Sequence, residues 1–117
     1  PIGLKLKFTI DEETGETVSR IKFADHFQGW QGVLHGGLIS TVLDEVMFYA
    51  NHQKTKKKSV TAELNVRFKK PSRMEKEFTI KGKVVDIRKR LVFTEGSLVD
   101  SDNNVVATAT GKFLQVD

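Results

Sequence analysis

The chain has 117 residues, 38% hydrophobic and 29% charged, with a formal net charge of +4 and a pI near 9.4. That suits one domain over 1–117 with a modest core, and no stretch approaches the apolar length of a membrane span or the pattern of a secretion signal. A cytoplasmic protein with no membrane partner is therefore expected; the lack of cysteine excludes a disulfide framework, and three scattered histidines supply no metal set.

"LKLKFTI" (4–10) alternates apolar and polar residues, "DEETGE" (11–16) reads as a turn, and "TVSRIKFAD" (17–25) alternates again. Two such segments around a polar turn predict a hairpin. A loop spaced by Gly29, Gly32, Gly36 and Gly37 follows. From Gly37 to about His52 the apolar positions Leu38, Ile39, Val42, Leu43, Val46, Met47, Tyr49 and Ala50 cover most of a helical circumference. A helix apolar nearly all round is expected to be buried, with "NHQKTKKK" (51–58) ending it.

Thereafter the period is two. In "SVTAELNVRFKKP" (59–71), Val60, Ala62, Leu64, Val66 and Phe68 are expected on one face, with Thr61, Glu63, Asn65 and Arg67 on the other. "EFTIKGKVVDI" (77–87), "RLVFTEGSLVDS" (90–101) and "VVATATGKFLQV" (105–116) read as three more strands, the last two joined at "SDNN". The order β-β-α-β-β-β-β predicts an α+β fold, in which one long helix is wrapped by a single curved antiparallel sheet of about six strands.

Two features carry chemistry. His35-Gly36-Gly37 stands at the helix start, where unpaired N–H groups and the positive end of the dipole attract developing negative charge. The Gly36 amide is a candidate oxyanion donor; the alternative is that the two glycines merely permit a tight turn. Asp44 and Glu45 interrupt the apolar run, and a carboxylate on a buried helix is costly unless it is served. At 1.5 Å per residue Asp44 lies about 12 Å along the axis from Gly36, too far for both to act on one carbon. Two chains related by a twofold axis, their helices antiparallel, would bring the amide of one to the acid of the other. Asp44 shares its helical face with Gly37, Ser40 and Thr41, all small. Histidine 35 is equally readable as a group that orders its loop. No G-x-S-x-G elbow and no cysteine nucleophile is present.

Lysine and arginine gather in "KTKKK" (54–58), "RFKK" (67–70) and "RKR" (88–90), which are read either as solvated ends or as sites for a polyanion. Trp30 lies outside these clusters and no aromatic stacking array accompanies them, so no nucleic-acid partner is expected.

The segment F-x-G-x-x-G-x-x-H-G-G (Phe27 to Gly37), followed by "LISTVLDE", resembles the signature of the hotdog-fold acyl-CoA thioesterases, nearest their 4-hydroxybenzoyl-CoA and phenylacetate-degradation branch. An acid nine residues after the histidine and the N-x-x-F-x-x-P pattern of Asn65, Phe68 and Pro71 strengthen the likeness, which spans nearly the whole chain. The resemblance implies thioester hydrolysis with no cofactor. The Gly36 amide would hold the thioester oxygen, and Asp44 of the neighbouring subunit would be nucleophile or general base. Thr61 would place the water or the acid, and His35 would support the carbonyl. It further implies a homodimer, often paired into a homotetramer, with acyl-CoA held by Gly37 and, at the rim, by Arg88, Lys89 and Arg90, with Lys69 and Lys70 behind them. Many relatives have Asn or Gln where this chain has Gly29. The rival from another class is a non-catalytic acyl-CoA sensor on the same fold.

Overall fold

The computed structural model describes residues 7–22, 36–70 and 77–116. The strands are β1 (Thr9–Ile10), β2 (Thr17–Lys22), β3 (Lys58–Phe68), β4 (Glu77–Arg88), β5 (Leu91–Asp100) and β6 (Val105–Val116), and the helix α1 (Gly36–Thr55) lies between β2 and β3. All pairings are antiparallel, in one sheet of order β1-β2-β4-β5-β6-β3. The expected architecture of one helix against a six-stranded curved sheet is what the chain adopts. Of the first expected strand, Leu4 to Leu6 lie outside the described residues; the described remainder is strand only at Thr9–Ile10.

Local chemistry sets the turns. Asp11 Oδ1 accepts the amides of Glu13 and Thr14, and Gly15 takes φ 76°, closing the first hairpin. Asp100 Oδ1 accepts the amides of Asp102 and Asn104, and Asn103 takes φ 66°, so "SDNN" turns as expected. Lys89 and Arg90 alone link β4 to β5, with Lys89 at φ 56°.

One side of α1 buries Leu38, Ile39, Val42, Leu43, Val46, Met47 and Ala50 against Phe78, Ile80, Val92, Leu98 and Phe113. The expectation of burial nearly all round fails in the protomer: Phe48 is 43% exposed, and Tyr49, half-buried, stacks on Phe8 with ring centroids 4.6 Å apart. The helix also runs past its expected end to Thr55, because Asn51 is fully buried and accepts a hydrogen bond from Thr94 Oγ1. Asn51 faces inward and is bonded through its Oδ1, while His52 and Lys54 stay exposed on the continuing helix.

Gly82 decides how close helix and sheet come. A Cβ there would stand 3.0 Å from the Val46 carbonyl oxygen, a backbone atom that cannot swing aside. Gly82→Ala should therefore destabilise the fold by about 1–3 kcal/mol, the usual cost of overpacking, read as a lower denaturation midpoint; an unchanged midpoint would show that the contact is slack.

Three register shifts bend the sheet, at Thr61/Glu63, Val84/Asp86 and Leu98/Val99. The first corrects the expected β3 faces. An extra residue at Ala62 reverses the alternation, so Ser59 and Thr61 share the helix side with Leu64, Val66 and Phe68. Val60, expected inward, is 51% exposed, and Ala62 is exposed too.

Candidate functional site

That bulge builds the site. With the parity reversed, Thr61 points from β3 toward α1, and its Oγ1 donates to Asp44 Oδ1 at 3.0 Å. Asp44 is half-buried in mid-helix, on the side of α1 that faces the β3 edge. One carboxylate oxygen is thus engaged by a hydroxyl, which fixes the carboxylate plane.

Gly36 is the first residue of α1, so its N–H belongs to the group that the helix leaves without an internal partner. A Cβ added at Gly36 would stand 3.4 Å from Phe68 Cζ, so the Phe68 ring lies against this backbone. Gly37 is exposed, and its carbonyl accepts Thr41 Oγ1 at 2.9 Å. His35 and Gly29 lie outside the described residues.

Glu45, next to Asp44, is half-buried. Burial first, and the Asp44 charge second, push its carboxyl above its ordinary 4.5. The folded chain therefore holds this proton more tightly than the unfolded chain does. Its stabilising contribution is present below pH 4.5 and is lost as pH rises through the folded value. Glu45→Gln should accordingly raise Tm at neutral pH, with the gap over the parent closing as pH falls toward 4.5; a gap independent of pH would contradict this.

The basic candidates divide into two groups. Arg88, Lys89 and Arg90 sit at the β4–β5 tip, where Arg88 Nε pairs with Asp86 Oδ2 at 2.8 Å and Arg90 Nη2 donates to the Gln115 carbonyl at 2.9 Å. Lys69 and Lys70 follow β3, their amides donating to the Val106 carbonyl at 2.8 and 3.3 Å. From Val106 to Gln115 is about 30 Å along β6. Within one chain, Lys69 and Lys70 are therefore not beside the arginines; they occupy opposite ends of the sheet.

Phe68 is the site neighbour that side-chain chemistry missed. Its inward face was visible in the strand pattern, but its contact with Gly36 joins residues far apart in sequence, which the alternation does not report.

The sequence profile of the Thioesterase superfamily matches residues 31–107. A protein of Saccharolobus solfataricus whose name describes it as an esterase is 34% identical over 103 residues, covering 87% of this chain and 68% of its own. The acyl-coenzyme A thioesterase THEM4 of Mus musculus is 26% identical over 117 residues, covering 99% of this chain and 50% of its own. The chain thus spans half the length of that mouse relative. Among solved structures, a hypothetical thioesterase of Streptococcus pneumoniae crystallised with coenzyme A superposes with a TM-score of 0.84 at 19% identity, covering 96% of this chain and 87% of that one.

Proposed function

Because this chain belongs to the Thioesterase superfamily, we propose that it hydrolyses an acyl- or aryl-coenzyme A thioester to the free acid and coenzyme A, at a site completed across a homodimer. One observation carries the reading. Gly36 touches Phe68 at one end of β3, while Asp44 is bonded to Thr61 near the other. The two groups needed at one carbon are thus tied to opposite ends of the same strand.

β3 is also an edge strand, 11 residues long, whereas the other edge, β1, has two. A long free edge is a template for another strand. Antiparallel pairing of two β3 edges about their middle sets Phe68 of one chain beside the Lys58–Thr61 end of its partner. The Gly36 amide of one subunit then faces Asp44 of the other, twice per dimer. The same pairing carries Lys69 and Lys70 toward the partner's Arg88–Arg90 tip, a basic rim suited to the phosphates of coenzyme A. The pairing of two such dimers into a tetramer remains part of this reading.

In the proposed reaction Asp44, held by Thr61 through Oδ1, takes a proton on its other oxygen from a water. The water oxygen attacks the thioester carbonyl carbon, and the Gly36 N–H stabilises the oxyanion that forms. Collapse breaks the C–S bond, and the proton passes from Asp44 to the leaving thiolate. Each product leaves neutral in proton count, with the carboxylate restored.

The name of the mouse relative and the coenzyme A in the pneumococcal structure support the substrate class. The test is thiol release over a panel of coenzyme A esters with aryl, short and medium acyl groups. Turnover of at least one is expected; saturable binding of the panel with no thiol released would favour the sensor instead.

A further inference from the structure

One end of the molecule combines cations with exposed aliphatic side chains. Lys58 opens β3 opposite Val116, and the preceding Gln115 exchanges hydrogen bonds with Arg90 through its amide and carbonyl. This places the helix exit, Lys56 and Lys57, on the side of the β4–β5 tip, Arg88, Lys89 and Arg90. Among the described residues this end also carries acids: Asp86 pairs with Arg88, Glu63 lies 3.7 Å from Lys112, and the turn of Asp11 to Glu16 reaches the same end beside β4, its Thr14 and Gly15 lining a pocket with Gln53 and Lys54. Lys56 and Lys89 stand at φ 60° and 56°. Glycine or asparagine fills such positions at lower cost, so both turns hold a charge where conformation alone favours another residue.

The outer face of the sheet supplies the second component. Register aligns Val60, Leu114 and Leu91 in one row that ends on Arg88. Val60 is 51% and Leu114 38% exposed, with Val85 at 50% beside them. The next row is mixed, Glu63, Lys112, Phe93 and Asp86, and the two beyond it are polar: Asn65, Thr110, Glu95 and Lys83, then Arg67, Thr108, Ser97 and Lys81. Apolar exposure on this face is therefore concentrated beside the cations.

We propose that this end docks on an anionic lipid surface, with the Val60–Leu114–Leu91 row entering the headgroup boundary and the lysines and arginines meeting lipid phosphates and carboxylates. No helix among the described residues is long and apolar enough to cross a membrane, and none is needed for contact of this kind. The sequence reading of no membrane partner rested on span length, which does not bear on a surface assembled from a hairpin tip, a helix exit and one row of a sheet. A second copy of the chain fits the row less well, because twofold pairing there would set the same cations against themselves.

The test is co-sedimentation of the full chain with phosphatidylcholine vesicles, with and without phosphatidylserine. Binding to the serine-containing vesicles is expected, falling with added salt. Lys56→Asn with Lys57→Gln should weaken it about 25-fold, about fivefold per cation, and Leu114→Ser should weaken it further. Lys81→Gln with Lys83→Gln, an equal charge loss elsewhere on the sheet, should leave it unchanged. Equal sedimentation with both vesicle types, equal loss in both double variants, or duplex DNA binding as tight and indifferent to Leu114→Ser would overturn the proposal. The readout needs no turnover, so its failure is distinct from a failure of hydrolysis; the Lys56/Lys57 variant should retain the parent rate on a soluble short-chain ester.

Discussion

Asp44→Asn should lower kcat by about 10²-fold or more, the scale expected when a general base is lost, while folding and assembly stay intact. The substitution preserves shape: an amide oxygen can still accept from Thr61 Oγ1, which donates to Oδ1 at 3.0 Å in the parent. What disappears is the capacity to take a proton from water. Asp44 is half-buried rather than part of the apolar core, so an isosteric change there should cost little stability. Glu45→Gln is the matched control, removing an adjacent carboxylate with a much smaller effect on rate. Steady-state thiol release, with a melting curve for each variant, makes the measurement. Parent-like turnover by folded Asp44→Asn would remove the assignment.

Mixing two inactive variants should restore activity. Gly36→Pro deletes the proposed oxyanion donor at the first helical position, where proline is well tolerated, and should cost about 10²–10³-fold in kcat. Alone, neither Gly36→Pro nor Asp44→Asn has a working site. If each site takes its amide from one chain and its carboxylate from the other, a mixed dimer carries both lesions in one site and none in the second. Refolding the variants together in equal amounts should thus recover about a quarter of parental activity, since half the dimers are mixed and half their sites are intact. A site contained within one chain would recover nothing, because every chain in the mixture carries a lesion. Recovery would show that each site is shared between two chains, as the β3 pairing requires.

Much of the site was legible in side-chain chemistry. Asp44 announced itself as a carboxylate within an apolar helix, and Gly36 as a backbone amide at a helix start, since both are local features of a short stretch. The basic clusters were equally visible, but their grouping was not. Lys70 and Arg90 are 20 residues apart in sequence, and whether they meet depends on where β6 carries each end of the sheet.

Read alone, the amino-acid order determined the succession of strands and helix, the turns at "DEETGE" and "SDNN", and the two residues on which the proposed chemistry rests. These follow from hydrophobic period and turn preference, which act over a few residues at a time. Tertiary structure decided which way Thr61 points, that Phe68 covers Gly36, and that α1 continues to Thr55. Each depends on contacts between segments distant in sequence: an inserted residue at Ala62 reverses a strand's two faces without altering the alternation around it, and a buried partner such as Thr94 keeps Asn51 helical where its polarity alone suggests an end.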